Sequence, residues 1–214
     1  MLDRTQAEQF YKIIGDCAQN REAINHAAFP LLAIHPELVH ARLSDFDENA
    51  SGDTPLHTAA SSINVDLMRR LIALGADVNA PDEEGSMPLN KAIIGGLSPG
   101  QEVDWSQSQA VVEAQWTQLQ AVELLLEAGS KPNARDRYGY TPLHYAAKYC
   151  HLPKARILLA RGADINARNR LQQTPFALVR SRNLRTKRDP SERPYDFEHK
   201  EMETLLEESG ADPV

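Results

Sequence analysis

The sequence predicts an all-α fold: a solenoid of about four to five helix-turn-helix repeats joined by turn-rich links and preceded by N-terminal capping helices. Three observations predict it. A Thr-Pro-Leu-His tetrapeptide returns, intact or varied, at a spacing of 33 interrupted by one insertion, a Gly-Ala-Asp motif keeps step with it, and the stretches between carry apolar residues at helical spacing. The 214 residues, 42% hydrophobic and 25% charged, supply enough apolar surface for a packed core and argue against wholesale disorder.

The first 51 residues lack the recurring motif but are helical in pattern. Phe10, Ile13, Ile14 and Cys17 form one apolar stripe, which predicts a capping helix over about 3–19. Leu38, Val39 and Leu43 form another, and Pro36 is placed to open a helix ending near Ser44. Residues 21–51 therefore read as a degenerate first repeat, since a terminal repeat has one face in water.

From Gly52 onward the periodicity is explicit. Thr54-Pro55-Leu56-His57 returns as Met87-Pro88-Leu89-Asn90, Thr141-Pro142-Leu143-His144 and Thr174-Pro175-Phe176-Ala177. The prolines stand 33, 54 and 33 residues apart, so the middle interval holds an insertion of 21. Gly75-Ala76-Asp77 is matched by Gly129-Ser130-Lys131, Gly162-Ala163-Asp164 and a closing Gly210-Ala211-Asp212. Each copy makes physical sense. The threonine hydroxyl caps a helix, and the proline takes the first helical position, where no amide donor is needed. Ala59 and Ala60 let a neighbouring helix approach closely. Val65, Met68, Leu71 and Ile72 give the second helix its apolar face, and Gly75 ends it. One such hairpin cannot bury its apolar face alone, but stacked copies can.

The TPLH tetrapeptides, paired alanines and GADVNA endings resemble the ankyrin repeat over about residues 52–214. The resemblance implies two antiparallel helices per repeat, with a β-hairpin or loop projecting at right angles between repeats. It implies repeats at 52–84, 85–138, 139–171 and 172–214, forming a single continuous domain with 1–51. Thr54, Pro55, His57, Gly75, Thr141, Pro142, His144 and Gly162 are the structural repeat residues, and His57 and His144 are expected to hold local backbone by hydrogen bonds. Met87, Asn90 and Ala177 depart from the pattern, so their repeats are expected to be locally less regular.

Two insertions separate first from second helices. In the second repeat, 95–104 reads as a loop, and Val112, Trp116, Leu119, Val122 and Leu126 predict a long helix from near Ser106 to Glu127. Its early part, with Val111, Val112 and Trp116, either protrudes or folds back onto the flanking loop, and self-packing is the expected outcome because stray apolar surface is normally buried. In the last repeat an insertion runs from about Arg182 to Phe197 and carries Arg185, Lys187, Arg188 and Arg193.

The chain offers little for catalysis. Gly96-Leu97-Ser98-Pro99-Gly100 matches G-x-S-x-G, but that motif works only between a strand and a helix, and here a helix precedes it. The seven histidines and two cysteines have no zinc spacing, and no glycine-rich phosphate cradle is present. No catalytic residue, cofactor or metal is therefore expected, and the chain is not read as an enzyme. No apolar run approaches the roughly 18 residues that span a bilayer. The opening MLDRTQAEQF has no basic-then-apolar segment, so the expected location is cytoplasmic, with reduced thiols.

Charge is segregated along the chain. Residues 1–134 carry a net −11, residues 135–193 a net +10, and residues 194–214 a net −6. That bears on partners rather than on fold. The resemblance implies that hairpin tips and the concave face of the first helices hold other proteins. In the third repeat those places are Arg137, Tyr138, Tyr140, Tyr145, Lys148 and Tyr149, and four of the six tyrosines fall within these 12 positions. The next repeat offers Arg170, Leu171 and Gln173. Tyrosine and arginine are the types favoured at interface hot spots. An acidic flank is expected from Asp53, Asp82, Glu83 and Glu84.

The expected function is non-catalytic protein–protein binding, in a narrower form inhibition or neutralisation of an enzyme or toxin, with a partner presenting an acidic patch to repeats three and four. The alternative is a regulatory scaffold or effector whose nucleic-acid-associated or modifying activity lies in the insertions. The overall negative charge argues against general nucleic-acid binding.

Overall fold

The computed structural model describes residues 4–15, 21–45, 51–95, 109–186 and 196–212. The G-x-S-x-G segment, the remainder of the first insertion up to residue 108, and residues 187–195 of the second lie outside the described residues, as do the side chains of Val111, Val112, Arg182 and Arg185. The described residues hold ten α-helices and two 3-10 turns and no strand. They divide into two compact units, 1–130 and 131–214.

Unit 1 opens with α1 (Arg4–Gly15) and α2 (Arg21–Ile34). Phe10 and Ile14 of the predicted stripe are buried, and α1 packs on α2 and on α3 (Pro55–Ser61). The helix expected after Pro36 forms instead as two 3-10 turns, Pro36–His40 and Leu43–Asp45. The break has a tertiary cause. Ala41 between them is extended, and the Leu43 N–H donates to Asp53 O at 2.9 Å, drawing the chain onto the next repeat. The Tyr11 hydroxyl lies 2.9 Å from Ala41 O and 2.8 Å from Asp53 O and donates between them, tying α1 to the same crossing. Burial pushes the Tyr11 phenol pKa up.

Helices α3 and α4 (Val65–Ala73) make the first regular hairpin, and α5 (Pro88–Ile94) and α6 (Gln109–Glu127) the second. α3 packs on α5 and α4 on α6, so first helices form one row and second helices another. Ala59 and Ala60 are fully buried between them, which is the close approach their size allows. The predicted long helix is present. α6 has 19 residues, about 28 Å at the α-helical rise.

Unit 2 repeats the arrangement with α7 (Pro142–Lys148), α8 (Leu152–Ala160), α9 (Pro175–Thr186) and α10 (Asp196–Glu208). α7 packs on α9 and α8 on α10. α9 runs on through Arg182 and Arg185 to Thr186, past the expected start of the insertion, because no glycine or proline interrupts it before Pro190.

The second helices of the four hairpins end alike. Gly75, Gly129, Gly162 and Gly210 sit at φ +91°, +94°, +80° and +92°, which only glycine adopts without strain. Their N–H groups donate to the carbonyls of Ile72, Leu126, Leu159 and Glu207, closing the last turn.

Candidate protein interface

Between consecutive repeats the chain makes a tight loop around one side chain. In unit 1 Asp82 Oδ1 accepts from the N–H groups of Glu84 (2.8 Å) and Ser86 (2.7 Å), while its own N–H donates to Ser86 O. In unit 2 Asp136 does the same for Tyr138 (2.9 Å) and Tyr140 (2.8 Å), and Asn169 for Leu171 and Gln173, both at 2.9 Å. These side chains replace backbone partners that a loop lacks, which makes the tips rigid.

The TPLH histidine ties each first helix to the following loop. His57 Nε2 lies 3.0 Å from Ser86 O, and His144 Nε2 lies 3.0 Å from Gln173 O. A carbonyl can only accept, so Nε2 carries the proton and donates. Nδ1 then accepts from the backbone N–H of Thr54 (3.1 Å) or Thr141 (3.1 Å). Burial lowers the pKa of both histidines and keeps them neutral. The structural role expected for them is the one observed. Where Asn90 replaces histidine, its Nδ2 reaches only Ser86 Oγ at 3.3 Å and its buried Oδ1 has no partner, and Met87 supplies no cap. In the last repeat Thr174 Oγ1 still caps by accepting from the Ala177 N–H at 3.1 Å.

Asp53, His57 and Asp82 bring potential metal-ligating atoms within 4.8 Å of one another. Lys91 already occupies that space. Its Nζ lies 3.0 Å from Asp82 Oδ2 and 3.2 Å from Asp53 Oδ1, and both nitrogens of His57 are engaged with Thr54 and Ser86. The cluster is an internal ion pair that stiffens the first loop. Asp82 is buried, so it does not belong to the acidic flank expected of it, and of that set Glu83 and Glu84 are exposed.

The nine residues singled out for partner binding all fall in unit 2, in two groups. Arg137, Tyr138, Lys148, Tyr149, Arg170 and Leu171 are exposed, with Tyr138 at 47%, Tyr149 at 37% and Leu171 at 74%. Tyr140, Tyr145 and Gln173 are half-buried and engaged inward. The Arg137 guanidinium lies 4.8 Å from the Tyr138 ring centroid and donates to its hydroxyl at 2.6 Å. Lys148 Nζ sits between two rings, 5.8 Å from Tyr140 and 5.5 Å from Tyr149. Tyr140 packs on Tyr145 and on His144, with ring centroids 5.5 and 5.4 Å apart. The Tyr145 hydroxyl donates to Asp136 Oδ2, and Gln173 Oε1 accepts from Asn169 Nδ2. The two loop tips are joined by the Arg170 N–H donating to Tyr138 O at 3.0 Å. The result is a set of aromatic and cationic side chains presented on a rigid base.

Of the turn-holding residues, Asp136 and Asn169 are not singled out from the sequence, and Asp82 is read there as surface charge rather than as a turn holder. Their spacing of 54 and 33 reproduces that of the prolines and is the signal that marks them.

Capped helical hairpins, glycine-ended second helices and loops closed around an Asp or Asn define a helical-repeat protein of the all-α solenoid class. A family model described as "Ankyrin repeats (many copies)" matches residues 38–92 and 125–179, about half of the chain, and the chain belongs to that family. Intracellular phospholipase A2 of Caenorhabditis elegans is 30% identical over 143 residues, 62% of this chain and 12% of that protein. A transient receptor potential cation channel subfamily A member 1 homolog from the same organism is 30% identical over 147 residues, 67% of this chain and 12% of its own length. Human ankyrin repeat and SOCS box protein 16 is 31% identical over 105 residues, 49% of this chain and 18% of that protein. The chain thus spans less than a fifth of each of these relatives. By its repeats it is a protein–protein interaction module. Among the described residues no helix is long and apolar enough to cross a membrane.

Proposed function

We propose that this chain binds one protein partner through the aromatic and cationic surface of unit 2, and that the bound partner presents an acidic patch to it. The observation that carries the reading is the exposure of Tyr138, Tyr149 and Leu171 beside Arg137, Lys148 and Arg170 on loops whose backbones are held from beneath. Large, stiff side chains on a rigid base lose little entropy on binding, and basic neighbours steer an acidic surface to them. The narrower reading is a dedicated inhibitor that acts by covering its partner's surface.

Affinity capture with the wild-type chain and with a Tyr138→Ala/Tyr149→Ala/Leu171→Ala variant tests this. All three side chains are exposed, so the variant keeps its fold, checked by thermal unfolding. The reading expects one acidic protein captured at a one-to-one ratio by the wild type and lost by the variant. Equal capture by both would remove this surface from the interface.

A further inference from the structure

Helix α6 carries a second exposed surface, on unit 1, with chemistry opposite to that of the tyrosine surface. Its inward face is Gln118, Ala121, Val122, Leu125 and Leu126, all buried. Its outward side presents Glu113, Trp116, Glu123 and Glu127, at positions three, seven and four apart, which lie along one helical stripe. Trp116 is 64% exposed, while the loop on which it could fold back lies outside the described residues. A tryptophan left in water and flanked by glutamates is an unusual outlay of apolar area.

The same sequence supplies the complement. Residues 1–134 carry net −11 and residues 135–193 net +10. The exposed Arg137, Lys148 and Arg170, with Tyr138 and Leu171 among them, offer cations for the Trp116 ring and the glutamates, and apolar surface for the indole. We infer that the chain associates head to tail with copies of itself, the Trp116 stripe of α6 in one copy docking on the tyrosine and arginine surface of unit 2 in the next. The contact joins two different surfaces, so it leaves one of each open and propagates unless it closes into a ring. It uses the surface assigned above to the partner, so self-association and partner binding compete.

Sedimentation of the full chain at low and high salt, over a range of concentrations, tests this. The weight-average mass is expected to rise with concentration at low salt, to about twofold or more above the monomer's 23.8 kDa, and to return to the monomer at high salt. Trp116→Ala spoils one surface and Arg137→Glu/Arg170→Glu the other, so each variant alone stays monomeric. Mixed, they form a one-to-one dimer and nothing larger, because each contributes one intact surface. Glu123→Lys/Glu127→Lys replaces Trp116→Ala if that variant fails to fold. A wild type that is monomeric at every concentration in low salt overturns the inference, as does a mixture that yields only monomers. Partner capture by a chain that stays monomeric would do so while leaving the partner-binding reading intact.

Discussion

Tyr145 donates its hydroxyl to Asp136 Oδ2 at 2.6 Å, while Oδ1 of the same carboxylate holds the loop tip through the N–H groups of Tyr138 and Tyr140. One repeat earlier Lys91 stands in the equivalent place, nine residues after Asp82, and meets Asp82 Oδ2 at 3.0 Å. A first-helix side chain braces the loop-closing carboxylate in both units, once as a phenol and once as an ammonium. The brace makes part of the tyrosine cluster structural. Tyr145 supports the surface from below, and Tyr138 and Tyr149 form it.

Tyr145→Phe is therefore expected to lower stability by about 1–2 kcal/mol, since it removes a hydrogen bond to a buried charged acceptor. Partner binding should change far less, because the hydroxyl faces inward. Urea unfolding beside capture efficiency separates the two effects. A stable variant that no longer binds would place Tyr145 in the interface itself.

Acid should loosen the stack. Burial lowers the pKa of His57, His144 and His151, the last to about 3, with nearby Lys154 adding to the effect. The unfolded chain takes up these protons near the ordinary histidine value of 6.5 and the native chain resists them. The stability they lend is present above that value and is lost as pH falls below it. The urea midpoint is expected to drop between about pH 7 and about pH 5, and less steeply in His144→Asn, which puts there the residue that nature places at Asn90. A flat profile would contradict the neutral histidine bridges.

Lys154 is 2% exposed in the first turn of α8, and burial brings its pKa down to about 8. The unfolded lysine protonates near 10.5, so the native state forgoes a proton between these values and is penalised at neutral pH. Lys154→Met should raise the thermal midpoint at neutral pH, and the advantage should shrink as pH rises from about 8 toward 10.5. A lower midpoint would mean that the ammonium stabilises its surroundings.

Gln172 holds φ +59° at the loop position where Gly85 and Gly139 sit at +74° and +80°. A side chain there is strained, so Gln172→Gly is expected to stabilise unit 2 by about 0.5–1 kcal/mol. The reverse change, Gly139→Ala, should cost more, because a Cβ would stand 2.9 Å from the Arg170 backbone nitrogen. Paired thermal melts check both signs.

Much of this fold could be read from residues alone. The Thr-Pro starts, the glycine ends and the long α6 follow from local rules that tertiary packing did not override, as at Thr54, Gly75 and Leu126. The stretch after Pro36 could not. Its apolar stripe fits a helix, but the long-range bond from Leu43 to Asp53 O breaks it into turns. The candidate surface was half legible. Composition marked the tyrosines, but only geometry separates Tyr138, turned to solvent, from Tyr145, spent on Asp136. Asp82 looked like surface charge because its partner Lys91 arrives from the helix of another turn of the pattern.

The most direct measurement is hydrogen exchange of the captured complex against the free chain. Slowed exchange at residues 136–140 and 169–173 and along α7 would place the partner on the tyrosine surface. Protection confined to α2, α4 and α8, with those loops unchanged, would contradict the account.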